Sequence, residues 1–174
     1  PARGMIAADQ LIDLIRRVRD DATVRALVLR LDTPGGSSFA SELIRQELEL
    51  LQVAGKPVVV SMGPVAASGG YWIASTADAI VAEPTTLTGS IGVFGIFPTF
   101  ENSLGAIGVS ADGVATSSLG DMDPFSALSA PAHQVLQAST EHVYRRFLNL
   151  VARGRDLPLE TVGELAEGRV WLGA

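Results

Sequence analysis

The chain has 174 residues, 47% of them hydrophobic, with a mean hydropathy of +0.30, enough apolar surface to close one core in a single domain over residues 1–174. Thirteen basic against nineteen acidic residues leave a formal net charge of −6, which argues against a nucleic-acid partner, because polyanions are held by clustered lysine and arginine that displace counterions. Cysteine is absent, excluding disulfides and thiol chemistry, and no apolar stretch approaches the roughly 20 residues that span a bilayer, so the chain as given reads as soluble.

In chain order the pattern alternates between helix and strand. Asp9 is placed to cap a helix running to about Arg19, whose basic cluster Arg16-Arg17-Val18-Arg19 reads as a solvated face. Arg25 to Asp32 is an apolar-rich strand buried on most of its length. Thr33-Pro34-Gly35-Gly36 must turn, and Ser37 or Ser38 caps a helix with Leu43, Ile44, Leu48 and Leu51 inward and Glu42, Arg45, Glu47 and Glu49 facing water, ended by Gly55. Pro57 to Met62 is a second strand leading through Gly63-Pro64-Val65 to Ala66-Ala67-Ser68-Gly69-Gly70, with a short helix from Ser68 to Thr76. A strand at Ala79–Ala82, turns from Pro84 to Ser90, and a further strand at Ile91–Phe94 follow. Pro98–Leu104 is a helix, Gly108–Thr116 extended, and Ser117–Ala127 a loop. Pro131 opens a long helix to about Arg153, and Leu159–Ala166 a shorter one. Such repeats predict an α/β fold with a largely parallel sheet.

Ser68 is the candidate nucleophile. A serine at the end of a buried strand and the start of a helix presents its hydroxyl in an open crevice, and flanking alanines and glycines let a substrate backbone approach. In a parallel sheet the loops after the strand carboxyl ends gather on one edge, so the Gly35-Gly36 loop and the Ser68 loop face each other. Acyl transfer needs backbone N–H donors aimed at the developing oxyanion, and Gly36 or Gly35 with Gly69 would supply that pair, the helix after Ser68 adding a favourable dipole. Read alone, each Gly-Gly pair is better explained as a turn, and only the two loops together with the serine favour the functional reading.

Three motifs, Leu29-Arg30-Leu31-Asp32-Thr33-Pro34-Gly35-Gly36, Val60-Ser61-Met62 leading into Ala66-Ala67-Ser68-Gly69-Gly70-Tyr71-Trp72-Ile73, and Thr86-Leu87-Thr88-Gly89-Ser90-Ile91-Gly92-Val93, together resemble signal peptide peptidase A (protease IV), a family of serine/lysine peptidases. The resemblance runs from about residue 8 to the end and includes Gly168-Arg169-Val170-Trp171. It implies a Clp protease/crotonase-like fold of ββα units and hydrolysis of signal peptides released in the membrane, without a cofactor or metal. It also assigns Ser68 as nucleophile, Ser90 as the serine that hydrogen-bonds a general-base lysine, and Gly36 and Gly69 as oxyanion donors. A membrane-anchored parent in the bacterial inner membrane, its catalytic domain on the extracytoplasmic side, is part of the same expectation.

The departure from that family is the lysine. In its short forms the base follows the Gly89-Ser90 motif, but the matching region here, Ser118 to Asp121, has none. The one lysine of the chain, Lys56, opens the strand that leads to Ser68, and six strand residues at about 3.3 Å each put it roughly 20 Å away, so it reads as a surface residue. Asp112 and Asp121 are weak bases toward an alcohol, and His133 and His142, nine residues apart on the long helix, read as surface or core-edge residues. Long forms of the family carry the serine in a carboxy-terminal half and the lysine in an amino-terminal half, assembled into a ring. With Pro1 in place of methionine and an apolar Val170–Ala174, the chain reads as such a carboxy-terminal half, its base supplied by a lysine-bearing homologous domain. Val65, Tyr71, Trp72, Ile91, Val93, Phe94 and Ile96 are candidates for lining apolar substrate pockets, or for core. Two other readings share the same motifs: a crotonase-like acyl-thioester enzyme, and a non-catalytic scaffold domain of a ring.

Overall fold

A computed structural model describes residues 6–117, 119–120 and 122–174. In chain order the elements are α1 (Ala8–Asp20), β1 (Leu27–Thr33), α2 (Ser38–Val53), β2 (Val58–Ala67), α3 (Gly69–Ala74), β3 (Ala79–Val81), β4 (Leu87–Gly89), α4 (Glu101–Ala106), α5 (Ala130–Arg155), α6 (Leu159–Leu165) and β5 (Val170–Leu172). They fall into two compact units, one of Val93–Val143 and the other of the chain on either side of it.

The flanking unit holds the sheet, in the order β1-β2-β4-β5, with β3 also pairing β2. All its pairings are parallel except that of β4 with β5, so the fold is the α/β class with a largely parallel sheet that the alternating pattern predicts. One face is packed by α1 and α2: Ile12, Ile15, Ile44, Leu48 and Leu51 close against Leu31, Val58, Val60 and Met62. β1 is a terminal strand, and it alternates rather than burying both faces: Leu31 is inside while Val28 is 67% exposed.

Two local differences from the sequence reading shape the edge where Ser68 lies. β2 does not stop at Met62. Its register against β1 jumps from Leu31–Met62 to Thr33–Ala66, so Gly63 and Pro64 are accommodated as an irregularity and the strand continues to Ala67. Proline is tolerated there because it is exposed and has no N–H to pair, and the Asp32 carboxylate accepts the Val65 N–H at 3.2 Å. The strand that pairs the carboxyl end of β2 is β4, Leu87–Gly89, within the segment read as turns, and Ile91–Phe94 forms none. Three residues are too few to show an alternation, so only pairing with β2 and β5 defines it.

The charged residues of α2 also differ. Glu42, Arg45 and Glu47 are buried, at 7%, 3% and 8% exposure, because each meets an opposite charge: Glu47 takes Arg16 and Arg19 of α1, and Glu42 takes Arg45. Ser37 caps α2 through the Ala40 N–H, whereas Asp9 lies inside the first turn of α1 and caps nothing.

In the unit Val93–Val143, the segment Gly95–Phe97 and the first half of α5 border a cavity of about 500 Å³ lined by Ile96, Phe97, His133 and Leu136 among others. Gly108–Thr116 forms no strand. Ser118 and Asp121, which bound the region where the short-form lysine is expected, lie outside the described residues, as does Pro1.

Candidate active site

β2 ends by delivering Ser68 in a backbone conformation that L-residues seldom adopt, φ 50° and ψ −118°. The strain is held from both sides. The Ser68 N–H donates to the Gly89 carbonyl of β4 at 2.9 Å, and its carbonyl accepts the Trp72 N–H, also at 2.9 Å, as α3 begins. The half-buried side chain is left over, and its Oγ has no hydrogen-bond partner among the described residues.

The Gly35-Gly36 loop is in contact with this elbow. Thr33 Oγ1 accepts the Gly35 N–H at 3.2 Å, and Gly35 has φ 113°. A methyl group on Gly35 would fall 2.8 Å from both Gly69 N and Ser68 Cβ; one on Gly69 would fall 2.6 Å from Ser41 Oγ and 3.1 Å from Gly36 N. Only glycine permits that approach. The N–H groups of Gly36 and Gly69 donate to no described acceptor, so two free backbone donors stand beside the free hydroxyl. α3, at six residues, adds little of the dipole expected of it, while the sixteen-residue α2 starts beside Gly36.

Ser90 stands next to Ser68. Ala67 and Gly89 are register partners, and each serine is the residue after one of them, with the Ser68 N–H donating across to the Gly89 carbonyl. Ser90 also has φ 50°, and its N–H donates to the Arg169 carbonyl at 2.7 Å. That carbonyl belongs to the segment leading into β5, a strand that the sequence reading did not contain.

The alternative bases are elsewhere. Lys56 Nζ donates to the carbonyls of Val18, Arg19 and Asp21 at 2.6–2.8 Å, capping the carboxyl end of α1, and the ten residues of β2 separate it from Ser68. It is therefore a helix cap rather than a plain surface residue, at a greater remove than six strand residues. His133 and His142 are exposed on the part of α5 within Val93–Val143. Among the described residues no group of three metal-ligating side chains occurs.

Beside β4 lies an apolar cavity of about 310 Å³ lined by Tyr71, Thr88, Gly89, Ile91, Leu165 and Trp171, with Val151, Leu157 and Val162. Burial pushes the Tyr71 phenol above its usual range, so its hydroxyl is neutral there. Of the apolar residues expected at a pocket, Tyr71 and Ile91 line this one and Ile96 the cavity of Val93–Val143, while Trp72 is core, 2% exposed. The buttress behind Ser68 escaped the sequence reading: Trp72 Nε1 donates to Glu42 Oε2 at 2.8 Å and its ring lies 4.7 Å from that of Phe147. The one available signal was Glu42 preceding Arg45 by three residues, a spacing shared with ordinary surface pairs.

Residues 51–174 match Peptidase family S49. The chain belongs to that family, whose members are serine peptidases of Clp protease-like fold. It is 55% identical to Protease 4 of Haemophilus influenzae over 95% of its own length, 52% identical to Protease 4 of Salmonella typhi over 98%, and 39% identical to the chloroplastic serine protease SPPA of Arabidopsis thaliana over 97%. It spans about a quarter of the length of these curated relatives, 27%, 28% and 25% respectively. No helix among the described residues is long and apolar enough to cross a membrane.

Proposed function

We propose that this S49 chain carries the acyl-transfer half of a Ser/Lys dyad peptidase. The reading rests on one observation, the unpartnered Ser68 hydroxyl beside the two free N–H groups of Gly36 and Gly69. Ser68 Oγ adds to the scissile carbonyl carbon, its proton passing to a neutral lysine amine. The carbonyl oxygen becomes an oxyanion held by Gly36 and Gly69, each such donor lowering the barrier by about 2.7–4 kcal/mol. Collapse breaks the C–N bond, the lysine returns its proton to the departing amine, and water hydrolyses the seryl ester by the same route.

Lys56 is committed to capping α1, so the amine comes from a lysine-bearing homologous domain of the parent protein, assembled in a ring, with Ser90 orienting it. The substrates are apolar segments such as released signal peptides, with an apolar side chain seated in the cavity lined by Tyr71, Ile91 and Trp171. A membrane-anchored parent with this domain on the extracytoplasmic side suits that substrate.

The test adds the lysine-bearing domain in trans and measures cleavage of an apolar peptide. Activity should appear only with both parts and vanish in Ser68→Ala. Strong activity from this chain alone that survives Lys56→Ala, His133→Ala and His142→Ala would sink the reading. Failure of Ser68 to react with a fluorophosphonate in the complemented enzyme would favour the crotonase-like alternative, and undiminished activity of Ser68→Ala in the parent would favour a scaffold.

A further inference from the structure

Among the described residues of the sheet-bearing unit, one heavily hydrogen-bonded side chain takes no part in the proposed chemistry. Glu42 accepts hydrogen bonds from Arg45 Nε and Nη2 at 2.8 and 3.0 Å, Gln46 Nε2 at 2.8 Å, Trp72 Nε1 at 2.8 Å and Arg146 Nη2 at 2.6 Å. Its side chain is about one-tenth exposed, and a structural ion pair needs only Arg45. The indole bond is different in kind, because it joins α2 to α3.

The covalent path shows what that bond controls. Gly36 leads directly into α2, whose cap is Ser37. One turn on, Ser41 Oγ lies against Gly69, and the next residue, Glu42, takes the indole of Trp72. Trp72 in turn donates its backbone N–H to the Ser68 carbonyl. The two free N–H groups thus belong to separate loops, and their separation is set by how α2 grips α3: Ser41 limits the approach of Gly69, and Glu42 through Trp72 prevents its retreat. Phe147 of α5 packs against the same indole, its ring tilted by 42° to it.

We propose that Glu42 is a positioning residue for the oxyanion hole, holding the Gly69 donor at its working distance from the Gly36 donor through the indole of Trp72. The inference rests on the Ser68 peptidase reading above. It calls for an effect on turnover beyond any loss of stability, since a displacement of about 1 Å at reacting groups can cost on the order of a hundredfold in rate.

Glu47 provides a matched control on the same helix. It is as buried as Glu42 and is paired with Arg16 and Arg19, but it joins α2 to α1 and has no link to α3. In the complete protein that carries this chain, with its lysine donor present, Glu42→Gln, Glu47→Gln, Trp72→Phe and Ser68→Ala are compared by thermal unfolding and by kcat and KM on one apolar peptide. Glu42→Gln should lower kcat roughly ten- to a hundredfold with KM within about twofold, and Trp72→Phe, which keeps a ring against Phe147 but loses the N–H, should follow in the same direction. Glu47→Gln should melt earlier with kcat kept. If Glu42→Gln fails to fold, Trp72→Phe decides alone. A kcat for the Glu42 and Trp72 variants no lower than that of Glu47→Gln overturns the inference while an inactive Ser68→Ala keeps the peptidase reading, and an active Ser68→Ala overturns the reading itself.

Discussion

Ser68 and Ser90 follow the ends of paired strands and share half burial and the same unusual φ of 50°, yet they are held by different means. Ser68 is followed by a helix, backed by a buried indole and pressed by glycines of a second loop. Ser90 is followed by no regular element until Glu101, and its N–H is pinned by the Arg169 carbonyl, some eighty residues later in sequence. Such a conformation costs on the order of 1–3 kcal/mol for a residue other than glycine. At Ser68 the cost is offset by packing shared with the core, and at Ser90 by the returning strand β5. The difference teaches that Ser68 is fixed by its own surroundings, whereas Ser90 depends on a contact with Arg169, distant in sequence.

The largest expected effect comes from crowding the Ser68 side of this pair. Gly35→Ala forces a methyl group to within 2.8 Å of Gly69 N and Ser68 Cβ at φ 113°, and should cost about 3 kcal/mol in urea unfolding and abolish fluorophosphonate labelling of Ser68 in the complemented enzyme. A variant that labels normally would show that the two loops are not in working contact.

Acid should weaken the same buttress. Burial pushes the Glu42 carboxyl upward, but hydrogen bonds from Arg45, Trp72 and Gln46 outweigh it and lower the pKa from 4.5 to about 2. A depressed carboxylate binds fewer protons folded than unfolded, so its contribution is complete above about pH 4.5 and is lost as pH falls toward 2. Stability should decline by about 3 kcal/mol across that window, and Glu42→Gln should flatten the decline relative to the parent chain. An unchanged slope in the variant would place the titrating group elsewhere.

Ser90 predicts an opposite pairing of effects. Ser90→Gly relieves the strained φ and should raise stability by about 1 kcal/mol, while turnover of the complemented enzyme falls about tenfold through loss of the hydroxyl. Lost stability together with lost activity would mean that the Ser90 side chain, rather than the Arg169 contact, holds the turn. The smallest effect belongs to the helix cap: Lys56→Met should cost about 1 kcal/mol by freeing three carbonyls at the end of α1, with the peptidase kinetics unaltered.

Much of this architecture was legible along the chain. α1, α2, α5 and α6 announce themselves by apolar residues at helical spacing, and β1 and the first part of β2 by their apolar runs, because those signals are local. The extension of β2 through Gly63 and Pro64, the position of β4 and the existence of β5 were not legible. The first depends on Asp32 of another strand, and the other two are three-residue strands defined only by their pairing, β4 with β2 and β5 with β4. The buried charges of α2 misled for a related reason: a Glu-x-x-Arg pair looks the same on a solvated face as inside an ion-pair network, and only the arrival of Arg146, Trp72 and α1 removes the water.

By itself the sequence determined the residue types that this chemistry requires: a serine between small residues, two glycine pairs after strands, and a single lysine too far along its strand to serve. Tertiary structure alone decided that the Gly36 and Gly69 N–H groups are left without a described acceptor where the two loops meet, that Ser90 follows the register partner of Ala67, and that Lys56 is consumed by α1. Residue identity limits which groups are available, but distance and hydrogen-bond saturation are properties of chain segments brought together from far apart, and no local pattern encodes them.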